Sequence, residues 1–369
     1  MTEQAYKPLS EIRVRKDDIA ACSFSSWYHK FKKHTPKAKI IRPLPNEFIQ
    51  YLAQDGIRLS LEENDSEYYD SLTHDDDNDY SDWEADDEGK DDGNSSGSDS
   101  GDESIEHQKE MVPIVDFPDL HREIIEVIRE YGAITPKLNW SSPRDATWIL
   151  PNNTSKCLNV NDVYLLLNAS NYIAYDLDHV FDECEDKDDS DIKVDYELVL
   201  RKWFDINPAL EFRVFVRDSE IAGISQRDLN YYNYLDPLKN TFVDLIEEFV
   251  YDTVLPNFDL KSFVLDLYLP RPFDSCWLID INPWARTTDT LLFSWNELIT
   301  KDLETESKPE IRLITEHNMG RFVTKEHSEN QVPKDVVQAS LDPESMRELT
   351  YKWKEILEMQ KAEGDNEKE

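Results

Sequence analysis

The chain has 369 residues, 78 acidic and 40 basic side chains and a net charge of −38. So anionic a protein is excluded as a general binder of DNA or RNA, since phosphate backbones are held by clustered Lys and Arg; an anionic membrane surface is excluded for the same reason. The length accommodates two or three structural units.

The charge is concentrated. Between Glu62 and Glu106 there are 20 acidic residues and one basic residue, Lys90, so these 45 residues carry −19 and the remaining 324 carry the other −19. The same stretch holds only seven apolar side chains, and Gly93–Gly101 has the Ser/Gly/Asp composition of a solvated linker. The rest of the chain has eight of the nine tryptophans, enough for a sizeable core. An acidic globular protein with a disordered polyanionic insertion at about 62–110 is therefore expected.

The N-terminus, Met1-Thr-Glu-Gln-Ala-Tyr-Lys, lacks the apolar stretch of a signal peptide, and no apolar run approaches membrane-spanning length. Cys22, Cys157, Cys184 and Cys276 are widely spaced with no C-x-x-C pair. That spacing predicts reduced thiols in a cytoplasmic protein rather than a zinc site or disulfide framework.

In chain order, residues 19–61 read as folded. Phe24, Trp27, Tyr28 and Phe31 supply aromatic anchors, Ile40-Ile41 reads as a strand ending at a Pro turn, and Phe48, Ile49, Leu52 and Leu59 continue the apolar signal. After the acidic stretch a helix opens at Asp116, with Pro118 in its first turn. Leu120, Ile124, Val127, Ile128 and Tyr131 lie on one face and Gly132 is the stop. A further helix is predicted over Asn161–Asn168.

From Tyr196 the period changes to two. Strands are predicted over Tyr196–Phe204, Leu210–Val216 and Glu220–Ser225, the last two joined in a hairpin at Arg217-Asp218-Ser219. A helix over Pro237–Val250 precedes two more strands, Ser262–Leu269 and Cys276–Asn282. Beyond Lys301 the pattern is weak until a helix at about 343–361, capped by Asp342, which is expected to pack back on the body. The predicted organisation is a first lobe over 1–195 containing the insertion, a second over 196–300, and an extension over 301–369 with a disordered end.

Strand alternation puts Asp280 and Asn282 on one face, with Asp266 at the centre of the preceding strand. Two carboxylates and an amide oxygen suit a hard cation such as Mg²⁺, which completes its shell with water and substrate phosphates; an exposed polar face is the alternative. Lys137, Arg201, Lys202, Arg213, Arg227 and Arg286 lie on neighbouring strands or loops. Cations opposite a metal-bound anion are the arrangement that holds a nucleoside triphosphate. No G-x-x-x-x-G-K-[ST] motif exists and the chain has nine glycines in all, so a P-loop or glycine-rich kinase loop is excluded.

The segments Pro136–Ala146 (PKLNWSSPRDA), Glu197–Trp203 (ELVLRKW), Glu211–Val216 (EFRVFV), Gly223–Asp228 (GISQRD) and Asp280–Trp295 (DINPWARTTDTLLFSW) resemble the cell division cycle protein 123 family. The resemblance runs from about Cys22 to Leu298 apart from the insertion. It implies an α+β, ATP-grasp fold: two lobes with ATP held between two mainly antiparallel sheets. It also implies an activity, the ATP-dependent assembly of eukaryotic translation initiation factor 2. The chain would bind that factor's gamma subunit and support translation initiation and cell-cycle progression.

Residue by residue, the resemblance implies Lys137 on the phosphates, with Asn139, Trp140 and Ser141 beside it and Arg144 close by. Leu200, Arg201, Lys202 and Trp203 would line adenine, offering backbone groups to its edge, and Asp205 would meet the ribose. Arg213 and Gln226 would approach the phosphates, and Asp266, Asp280 and Asn282 would hold Mg²⁺. A monomer is expected for the chain alone. Two other readings compete: a carboxylate-amine or carboxylate-thiol ligase acting through an acyl phosphate, and a binding protein with a vestigial site. Ser98, Ser100 and Ser104 sit in acidic contexts suited to acidophilic kinases. Trp83 reads either as a docking aromatic or as a stray side chain in a solvated loop.

Overall fold

The computed structural model describes residues 11–54, 56–59, 117–187, 194–303 and 308–316. The acidic stretch with Trp83 and its serines, the Asp116 cap and the helix expected at about 343–361 lie outside the described residues.

A first sheet contains β1 (Ala38–Ile41), β2 (Ile134–Lys137) and β3 (Leu198–Lys202), antiparallel in the order β1-β3-β2. One face is covered by α3 (Asn46–Ala53), α4 (Pro118–Tyr131), α5 (Val160–Ala169) and α6 (Asn171–Asp178). Helix α4 turns Leu120, Ile124, Val127 and Ile128 into that core, as its 3–4 residue spacing requires. It stops at Gly132, whose φ of 80° is cheap only for glycine. Helix α5 opens on a reciprocal cap, Asn159 accepting from the Asp162 N–H and Asp162 reaching back to the Asn159 N–H.

The second sheet contains β4 (Glu211–Arg217), β5 (Glu220–Gln226), β6 (Phe263–Tyr268), β7 (Trp277–Pro283) and β8 (Ile311–Arg312), in the order β7-β6-β4-β5-β8. Its pairs are antiparallel except β5 with β8. The β4–β5 hairpin closes on Asp218 and Ser219, both at positive φ, as a two-residue turn matched to the strand twist demands. One face buries Phe212, Val214, Val216, Phe263, Leu265, Leu267, Leu278 and Ile281. Against it pack α2 (Phe24–Phe31), next to the short α1 (Lys16–Ala21), and α7 (Lys239–Glu248), which continues into a π-turn over Phe249–Val254. On the opposite face Phe215, Ala222 and Val264 pack with Phe293 and with Trp295 and Leu298 of α8 (Trp295–Thr300).

The α+β class and the two mainly antiparallel sheets are as expected; the division of the chain between them is not. Strand β3, expected to open the second lobe, is the central strand of the first sheet. The aromatic helix α2, expected in the first lobe, packs on the second sheet, and just after it His34 O accepts from Leu278 N of β7 at 2.7 Å. An apolar face fixes that an element is buried, not which sheet buries it. Strands β2 and β8 have no signature in the sequence, because Pro136 interrupts the one and the two residues of the other are too few to show a period. All four cysteines are buried free thiols. Among the described residues no helix is long and apolar enough to cross a membrane.

Gly223 marks a close approach. A Cβ built there would lie 2.7 Å from the Phe293 ring, which is itself buried against Phe215 and carries Arg312 4.0 Å above it. Gly223→Ala is expected to destabilise the chain by ~1–3 kcal/mol through overpacking, read as a lower urea midpoint with unchanged slope.

Candidate functional site

Strand alternation supplies the site. Pairing β2 with β3 puts Lys137 opposite Val199 and Thr135 opposite Arg201, so these four side chains leave the first sheet on the face away from its helical core. In the second sheet Arg213 of β4 lies opposite Asp266 of β6, and Asp266 opposite Asp280 of β7. The three therefore form a row across adjacent strands, on the face opposite Val214 and Leu265. A register shift just after Asp266 lets Ile279 bulge out of the ladder beside Asp280.

The two sheets meet through these side chains. Lys137 Nζ is fully buried, donates to Asp280 Oδ2 at 2.7 Å and also donates to the Trp140 carbonyl. Arg201 crosses between the lobes to the Ile279 carbonyl at 3.0 Å and, within its own lobe, donates to Ser142 Oγ at 3.2 Å. Arg144 pairs with Glu211 at 3.1 Å. Arg213 grips Asp266 with two parallel bonds, Nε to Oδ1 at 2.8 Å and NH2 to Oδ2 at 2.9 Å, and its NH1 donates to the Asp289 carbonyl. Arg227 lies 3.3 Å from Asp266 Oδ2 without hydrogen-bond geometry, and its Nε is buried with no acceptor.

Five cations thus face three carboxylates in a protein of net charge −38. Burial opposes ionisation of Asp266, but Arg213 and Arg227 outweigh it and hold the carboxyl well below its usual range. Burial likewise opposes the charge on Arg227 and is outweighed by Asp266 and Glu211. For Arg201 burial wins and lowers its pKa.

Asp266, Asp280 and Asn282 are brought together: Asn282 Nδ2 reaches Asp266 Oδ2 at 3.4 Å, which leaves its amide oxygen for another partner. Among the described residues no group of three His, Cys, Asp or Glu is placed to hold a metal; the set here is two carboxylates and one amide. As oxygen donors they fit Mg²⁺. Both carboxylates are already bonded to cations of the chain, so they fit it only alongside an added anion.

Other candidates are engaged elsewhere. Strand β3 is paired on both edges, with Leu200 opposite Lys39 and Arg201 opposite Thr135, so neither has backbone groups to offer an adenine edge. Arg201 contributes its side chain instead. Lys202 is exposed, its N–H on the Lys37 carbonyl; Trp203 N–H is on the Ala133 carbonyl, and Asp205 is exposed past the strand. Gln226 is fully buried and spends its amide on the Asp228 and Asn230 carbonyls and the Ile314 N–H, so it clamps a loop and does not face the cluster. Asn139 bridges the Asp195 carbonyl and the Glu197 N–H, and Trp140 Nε1 anchors to the Ile19 carbonyl. Arg286 is 3.8 Å from Glu183, outside the cluster. A separate open cleft of about 450 Å³, lined by Arg13, Asp218, Lys261 and Trp284, contains none of the five cations.

Two residues escaped the sequence reading. Glu211 was signalled by its alternation with Arg213. Asp176 of α6 carried no signal. It accepts from the Trp140 and Ser141 N–H groups and from Ser141 Oγ, pinning the turn that follows Lys137. Burial raises its pKa to about 6 against the opposing bonds from Ser141. A native pKa above the unfolded value means that this group's contribution is fully present below the unfolded pKa and is lost as pH rises through about 6. The stability advantage of wild type over Asp176→Asn, from urea unfolding, is therefore expected to shrink as the pH rises from about 4 to about 6, by up to ~1.4 kcal/mol per pH unit, and to level off above that.

Comparison with known proteins places the chain. The D123 family model matches residues 27–340. A Kluyveromyces lactis protein named translation initiation factor eIF2 assembly protein is 80% identical over 369 residues, 100% of each chain. Cell division cycle protein 123 of Candida glabrata is 56% identical, covering 100% of this chain and 99% of its own. The structure of Cdc123 from Schizosaccharomyces pombe superposes with a TM-score of 0.63 at 34% identity, over 82% of this chain and 99% of that one. With the family match spanning most of the chain and near-full-length relatives at this identity, the protein belongs to the D123 family.

Proposed function

We propose that this chain is a cytoplasmic assembly chaperone that binds ATP with Mg²⁺ and uses it to promote assembly of eukaryotic translation initiation factor 2, engaging the gamma subunit. The observation that carries the reading is the meeting of Lys137, Arg144 and Arg201 from one lobe with Arg213, Arg227, Asp266 and Asp280 from the other. Surplus cations beside paired carboxylates suit a triphosphate and a divalent ion. The position between two antiparallel sheets is the one an ATP-grasp protein uses, and the relatives named for eIF2 assembly supply the partner. The metal would offset phosphate charge, while the lysine and arginines orient the chain of phosphates.

A nucleotide can change partner affinity only by binding two arrangements of the lobes unequally. Contacts that cross between the lobes at the site itself provide that inequality. The test measures Mg-dependent ATP affinity for wild type and Asp280→Ala, each with and without the gamma subunit. Asp280→Ala should lose at least ~10-fold in affinity, about 1.4 kcal/mol, and the subunit should tighten ATP on wild type alone. Equal ATP affinity in the two proteins would sink the metal assignment.

A further inference from the structure

Both carboxylates assigned to the metal already have cationic partners from the chain. Asp280 Oδ2 receives Lys137 Nζ and its Oδ1 receives the Ile281 N–H at 3.1 Å; Asp266 receives Arg213 through both oxygens, with Arg227 at 3.3 Å. Two carboxylates thus stand against three close cations, with Arg144 and Arg201 just beyond. A divalent cation arriving alone enters a cluster that is already net positive. It must also strip Lys137 from Asp280 and leave that ammonium buried without a carboxylate. A triphosphate reverses both terms, because it offers Lys137 and the arginines a new anion and makes the cluster net negative.

We propose that the chain binds its divalent cation only together with the nucleotide, and that Lys137 holds the metal's place on Asp280 until phosphate draws it away. Lys137 is then both a phosphate ligand and the group that denies Asp280 to free metal. The proposal rests on the nucleotide reading above and adds the order of binding to it. Lys137 belongs to β2 and Asp280 to β7, so the exchange also replaces a direct bond between the lobes by one made through the ligand.

The test uses the full chain and Mn²⁺. Equilibrium dialysis with Mn²⁺ alone, and with Mn²⁺ plus ATP, counts metal and nucleotide retained per chain. Wild type is expected to retain one Mn²⁺ with one ATP, and to bind Mn²⁺ alone at least ~100-fold more weakly. Lys137→Met removes the placeholder, so Mn²⁺ without nucleotide should bind at least ~10-fold tighter than to wild type. Asp280→Ala added to that variant should erase the gain. Retention of one Mn²⁺ by wild type at the same affinity without ATP would overturn the proposal while leaving ATP binding intact. So would Lys137→Met showing no gain while circular dichroism shows it folded. Retention of neither Mn²⁺ nor ATP by wild type would overturn the nucleotide reading, and this proposal with it.

Discussion

Lys137→Met should abolish high-affinity ATP binding and cost about 2–4 kcal/mol of stability. The wild-type ammonium is fully buried, with Asp280 and the Trp140 carbonyl as acceptors. Methionine fills most of the volume but leaves the Asp280 carboxylate without the cation it is bonded to. Breaking a buried pair from one side typically costs 3–5 kcal/mol. The lower end applies here because Asp280 keeps 16% side-chain exposure and an Ile281 N–H bond. Isothermal titration with Mg-ATP and urea unfolding read the two effects separately. Adding Asp280→Asn should restore part of the stability and none of the nucleotide affinity. If the double variant is no more stable than Lys137→Met, the cost does not arise from an uncompensated carboxylate.

That the site can be argued residue by residue follows from what strands expose. A period of two sorts Glu211, Arg213 and Phe215 from Phe212, Val214 and Val216, and the sorting holds in the sheet. It likewise aligns Asp266 with Asp280 once β6 and β7 pair. The tertiary partners were beyond reach. Nothing local says that β3 completes the first sheet, because its partner in β1 is about 160 residues away in the chain. Nothing local says that α2 covers the second sheet, since Trp27 and Phe31 would be satisfied by any apolar face.

The same limit explains the residues that family resemblance put near ligand and the structure turns elsewhere. Gln226 and Asn139 satisfy backbone groups of neighbouring loops, and Gln226, which spends both amide N–H groups this way, has no donor left for a phosphate. A motif identifies residues that matter without separating those that touch a ligand from those that hold its frame. Asp176 belongs to the frame and lies in no motif read from the sequence. Its one distinguishing feature is a burial that only the assembled fold produces.

Arg213→Met should be the most destabilising single change at the cluster, by about 3–5 kcal/mol at neutral pH, a large part of a typical domain's total stability. Asp266 is 4% exposed and would lose both bonds of the bidentate grip, keeping Arg227 at 3.3 Å in poor geometry and a long bond from Asn282 Nδ2 at 3.4 Å. The Asp289 carbonyl would lose its donor as well. The pH dependence separates this mechanism from simple loss of packing. In wild type the native pKa of Asp266 is depressed, so its contribution is present above the unfolded pKa and is lost as pH falls below it. Without Arg213 burial dominates and the native pKa moves upward, so the buried carboxylate destabilises at neutral pH and takes up a proton on acidification. The gap between wild type and variant should therefore be widest near pH 7 and narrow toward pH 4. Adding Asp266→Asn should recover part of the loss and flatten that dependence. Urea unfolding at pH 7 and pH 4.5 decides the matter: an equal gap at both values means that the cost arises from packing, and that the Asp266 charge is not what Arg213 is there to hold.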